Sequence, residues 1–127
     1  MDAIIGAVNA GYDTDTVATM AGAMAGALSG SAAFPEHFLP TMEKSMDLRS
    51  VKRQTMSSGL QVSDRNGVSR MYDKILGCLL GAATGDAMGA ATEAKSTGQI
   101  KEIFGGRVES FRNRQETYRR EDESRVR

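Results

Sequence analysis

Two rows of glycine at four-residue spacing, Gly22-Gly26-Gly30 and Gly77-Gly81-Gly85-Gly89, restrict the fold of this chain more than any other feature. Residues four apart share one face of a helix, so each row removes the side chains from one face and lets a second helix come close. A glycine inside a helix costs about 1 kcal/mol relative to alanine, and rows of them persist only where packing offsets that loss. The chain is therefore expected to be all-α, a small helical bundle whose best helices cover residues 17–29 and 72–91. The second of these also carries an apolar stripe, Ile75, Leu76, Leu79, Leu80 and Ala83, at spacings of three and four.

Around these two helices the pattern is less regular. Residues 3–10 are apolar and short, and Phe34-Pro35 breaks the first helical run before an amphipathic stretch over 36–49 with Phe38, Leu39, Met42, Met46 and Leu48. Residues 52–70 sustain no apolar period and read as a polar linker. Residues 95–104 read as a short helix ended by Gly105-Gly106, and residues 112–127 as a charged tail, a solvated helix or disorder. The organisation expected is thus 1–51, a linker 52–70, 71–111, and the tail 112–127.

A length of 127 residues suits one small domain. Sixteen Lys plus Arg balance sixteen Asp plus Glu, which removes the general attraction toward nucleic acid and anionic membranes. The lone cysteine, Cys78, excludes an internal disulfide and suits a reducing compartment. No basic segment followed by a long apolar one opens the chain, so cytoplasmic residence is expected. The longest apolar stretch, 75–91, is interrupted by Asp86 and falls short of the roughly 20 residues of a bilayer span. Cys78 and the eight methionines suit the gaps of a helical core, and His37, in a Pro-Glu-His turn, suits the surface.

Asp13, Asp15 and Thr16 place two carboxylates and a hydroxyl within one turn, a hard-oxygen cluster suited to magnesium, manganese or calcium. The same residues equally suit the start of a helix, where acids and hydroxyls cap free amides. Asp86 and Glu93 lie seven apart, on one face of the second helix if it continues that far. Inside a row of glycine and alanine, Asp86 reads as a buried, hydrogen-bonded acid.

Two long segments resemble one known family. The run NAGYDTDTVATMAGAMAGALSG, residues 9–30, resembles the C-terminal metal-binding signature of the ADP-ribosylglycohydrolases, and FPEHFLPTMEK resembles that family's last helices. The run ILGCLLGAATGDAMGAATE, residues 75–93, is similar to the family's first helix, and IKEIFGGRVESF resembles the segment after it. The resemblance implies an all-α enzyme that removes ADP-ribose from a modified protein or a small ADP-ribose compound, using two magnesium or manganese ions. It implies that Asp13, Asp15 and Thr16 bind metal, that Glu93 serves both the metal and catalysis, and that Asp86 has a supporting place. Tyr12 stands where many members have a second glycine.

The family's order is reversed here, its long middle is missing, and its Thr-Asp-Asp element has no counterpart between Phe111 and Arg127. A frame running from the end of one such gene into the next, or a truncated circular permutant, would both look like this. Three carboxylates and a hydroxyl would serve two ions poorly, since magnesium takes six oxygens in near-octahedral array. Metal-assisted hydrolysis of an ADP-ribosyl bond, weak or lost, is the expected function. The alternative is a non-catalytic helical module, self-association included, that packs through its glycine rows. If the family site persists, the two segments must meet, with residues 13–16 facing Glu93.

Overall fold

A computed structural model describes residues 1–38 and 65–112. Among these described residues four helices form: α1 (Asp2–Val8), α2 (Thr14–Ser29), α3 (Arg65–Gly89) and α4 (Thr97–Phe104). Short 3₁₀ turns follow α2 at Ser31–Ala33 and Glu36–Phe38. Among the described residues there is no strand, and no helix is long and apolar enough to cross a membrane.

The glycine rows set the packing. Helices α2 and α3 run antiparallel and meet backbone to backbone. A Cβ built on Gly26 would strike the carbonyl of Gly77, one on Gly22 the carbonyl of Gly81, and one on Gly85 the carbonyl of Ala18. Gly89 closes the series against the backbone of Thr14 and Asp15. The sequence expectation of two helices laid side by side through their glycine rows is met within one chain.

Helix α1 packs on one flank of this pair, and its Ile4 side chain lies near the Gly22–Gly81 contact. The core joins Ile4 and Val8 of α1, Ala18 of α2, Leu80 and Met88 of α3, and Ile100 of α4, with Phe34, Phe38 and Val108. The rings of Phe38 and Phe111 stack at a tilt, with centroids 4.5 Å apart. Asn9 fastens the last described segment: its Nδ2 donates to the carbonyls of Ile5 and Val108, and its Oδ1 accepts from the Val108 amide at 2.9 Å. Helix α4 opens with a complete capping box between Ser96 and Gln99.

Several sequence expectations are corrected. Helix α3 begins at Arg65, ten residues before the apolar stripe opens at Ile75, so residues 65–70 are helical and not linker; hydrophobic period marks only the part of a helix that touches a core. It ends at Gly89 instead of residue 91, and residues 90–94 form a turn. Residues 36–38 form a 3₁₀ turn. The remaining 39–49 of the expected amphipathic helix, the linker residues 52–64, and 113–127 of the charged tail lie outside the described residues. The outer face of α2 carries Val17, Met20, Met24 and Leu28, all exposed.

Candidate functional site

At one end of the α2–α3 seam, the start of α2 meets the turn that follows α3. The two segments are joined by a reciprocal pair of backbone hydrogen bonds. The Tyr12 amide donates to the Lys95 carbonyl at 2.7 Å, and the Ala94 amide donates to the Tyr12 carbonyl at 2.8 Å. Tyr12 and Ala94 are also the two non-glycine residues with positive φ among the described ones, at 64° and 59°. Such backbone costs of order 1–3 kcal/mol per residue and persists only where its surroundings hold it. Tyr12 therefore adopts a glycine-like conformation, with its side chain 72% exposed.

Four of the sequence-predicted residues flank this junction. Asp13 occupies the N-cap position of α2 and is exposed, but its side chain makes no capping hydrogen bond. Asp15 is half-buried, and its Oδ1 accepts from the Thr16 amide at 2.6 Å and lies 3.4 Å from the Thr16 hydroxyl. Thr16 is exposed. Glu93 is half-buried on the turn between Thr92 and Ala94, and its own backbone carbonyl accepts from Lys95 Nζ at 3.3 Å.

The structure thus brings the 13–16 segment and the Glu93 turn together, although nearly eighty positions separate them. Among the described residues no three carboxylate, imidazole or thiol groups lie close enough to hold a metal ion, and Asp15 spends one oxygen on its own neighbour. The described carboxylates thus fall short of a ready-made cage for a divalent cation.

Asp86 departs from its expected place. It is exposed, not buried, because Gly85 and Gly89 are the residues turned into the seam and Asp86 sits one residue, about 100°, around the helix. Since α3 stops at Gly89, the seven-residue spacing does not put Asp86 and Glu93 on one helical face.

Sequence reasoning passed over the two residues at the centre of the junction. Thr14 and Thr92 are both fully buried. The Thr14 hydroxyl donates to the Gly89 carbonyl at 3.0 Å. The Thr92 hydroxyl has three acceptors in reach: the Val8 carbonyl at 2.8 Å, Thr14 Oγ1 at 2.9 Å and the Gly89 carbonyl at 3.1 Å. Neither residue belongs to an apolar period or carries charge, so nothing in the sequence marks them as buried.

The family model described as ADP-ribosylglycohydrolase matches residues 1–64 and 68–124 of the chain. Neither the curated proteins nor the solved structures include a match. The two matched segments cover nearly all of the sequence, and the junction pairs Tyr12 of the first with Ala94 and Lys95 of the second. The chain therefore belongs to the ADP-ribosylglycohydrolase family.

Proposed function

We propose that this chain acts on ADP-ribosyl glycosidic bonds, with Glu93 as its catalytic carboxylate, and that its activity in isolation is weak. The observation that carries this reading is the reciprocal Tyr12–Ala94–Lys95 pairing at two strained residues, which holds the acids of residues 13–16 beside the Glu93 turn. Strained backbone of this kind is retained where the surroundings enforce it, and it concentrates at working sites.

In the reaction, water attacks the anomeric carbon of the ribose while the bond from that carbon to the acceptor atom breaks. Glu93 accepts the proton lost by the water, the acceptor regains one from solvent, and free ADP-ribose is released. Carboxylate-assisted glycoside cleavage is the chemical precedent. Magnesium or manganese at Asp13, Asp15, Thr16 and Glu93, expected from the family, binds weakly on this reading, since the carboxylates do not converge. The substrate is an ADP-ribosylated protein or a small ADP-ribose compound.

Release of ADP-ribose from peptides ADP-ribosylated on arginine or on serine, with manganese present, tests the proposal. Slow release that disappears in Glu93→Gln is expected; equal release by wild type and Glu93→Gln would remove Glu93 from its role. Calorimetric titration with magnesium and manganese should give weak binding that Asp13→Ala abolishes. Micromolar binding unchanged in Asp13→Ala would contradict the assignment.

The alternative, a non-catalytic module that associates through its glycine rows, has less to work with. Both rows are occupied by each other inside one chain.

A further inference from the structure

We infer that Thr14 and Thr92 are positioning residues: their buried hydroxyl pair fixes the start of α2, with Asp13 and Asp15, against the turn that carries Glu93. This rests on reading that junction as the site. Thr14 stands between the two aspartates, and Thr92 immediately precedes Glu93. Both are fully buried, and their hydroxyl oxygens are 2.9 Å apart.

The carbonyls they serve explain the arrangement. Val8 is the last residue of α1, and Gly89 is the last of α3. The final carbonyls of a helix have no partner within it, and a carbonyl buried without a partner is costly. Here α1 and α3 end against the first turn of α2: the Thr92 hydroxyl reaches the Val8 carbonyl, and the Thr14 hydroxyl gives the Gly89 carbonyl a second donor beside the Thr92 amide. Each hydroxyl has one hydrogen. Thr14 gives its own to Gly89, which leaves its oxygen free to accept from Thr92, while Thr92 can give its single hydrogen to Val8, Thr14 or Gly89. The pair therefore couples three helix ends through two side chains.

A valine in either position keeps the shape and removes the hydroxyl; a serine keeps the hydroxyl. Two amides report on the junction alone, those of Tyr12 and Ala94, which donate across it. Amides within the seam, such as those of Gly26 and Leu80, report on the rest of the fold.

In amide hydrogen exchange, Thr92→Val should speed exchange of Tyr12 and Ala94 about tenfold, the effect of losing one buried hydrogen bond. Gly26 and Leu80 should hold their wild-type rates, and Thr92→Ser should restore all four. Unchanged rates at Tyr12 and Ala94 would overturn the inference, as would a uniform rise at all four sites, which marks a residue that merely stabilises the core. If Thr92→Val does not fold, Thr14→Val gives the same comparison while leaving the Val8 carbonyl its partner.

A manganese titration forms the second arm. Affinity should fall in Thr92→Val and return in Thr92→Ser. Loss of local protection without any change in manganese affinity would overturn the positioning role. If wild type binds no manganese, the reading of the site fails, and the hydroxyl coupling is then judged on exchange alone.

Discussion

At the Gly30–Gly77 end of the α2–α3 seam, the closing contacts are charged and face solvent. Asp73 accepts from the Ser31 amide at 3.0 Å and the Ser31 hydroxyl at 2.5 Å, while Lys74 Nζ donates to the last carbonyls of α2, Ala27 at 3.2 Å and Leu28 at 2.9 Å. At the Thr14–Gly89 end the contacts are neutral and fully buried. Both ends solve the same problem, the unpaired groups where helices stop. A charged clasp in water yields little, since screening and side-chain entropy cancel most of its attraction. A hydroxyl sealed from water yields more, because no water can replace the hydrogen bond lost on its removal. The candidate site lies at the buried end, where position is held most tightly.

The largest effect should come from destroying the seam that both ends close. Gly81→Leu places a side chain on the Gly22 carbonyl, and overpacking of this kind should cost about 3 kcal/mol or more. Thermal unfolding by circular dichroism should show loss of the cooperative transition; a melt like that of wild type would mean that the rows do not hold the fold.

Next comes the buried end. Thr14→Val should cost about 1–2 kcal/mol in denaturant unfolding, and the cost should be the same in low and in molar salt. A cost that shrinks with salt would erase the distinction between the two ends.

A smaller, pH-dependent effect belongs to the charged end. Donation from the Ser31 hydroxyl, then from the Ser31 amide, holds the Asp73 carboxyl below its usual 3.8, with help from Lys74 and against the effect of burial. A carboxyl lowered on folding stabilises the protein above its unfolded pKa, and that contribution fades as pH falls below 3.8 and through the lower folded value. The stability difference between wild type and Asp73→Asn should therefore be flat near neutrality and shrink below about pH 4. A difference that grows on acidification would reverse the assignment.

The smallest effect should come from Thr84. It is buried like Thr14 and Thr92, yet its hydroxyl finds no partner among the described residues. Thr84→Val should be neutral or stabilising by up to about 1 kcal/mol. A loss comparable with that of Thr14→Val would show that buried threonines matter here for their packing and not for their hydrogen bonds.

The two ends also differ in how far they could be read from sequence. The seam was legible because a glycine row is a periodic signal with one physical use, and the family resemblance identified which segments it joins. Asp13, Asp15, Thr16 and Glu93 were legible as types and by resemblance, as was the meeting of their two segments, but not that their carboxylates stay apart, since that depends on where α3 stops. Asp86 was misplaced because a residue beside a glycine row can lie on the seam or one step around from it. Thr14 and Thr92 left no trace, because their partners are backbone carbonyls, which every residue possesses.

The bare seam also fixes how the length of these helices can change. Because contact is made by absent side chains, each position tolerates only the residue that is not there, and register is everything. One residue inserted after Ala21 would turn the rest of α2 by about 100° and bring Ala25 into the place of Gly26, against the Gly77 carbonyl. A four-residue insertion would leave the helix only about 40° out of phase. Length variation in α2 or α3 should therefore come in whole helical turns, while the turn at residues 90–96 and the segment before Thr14 must keep their lengths for the two halves to meet.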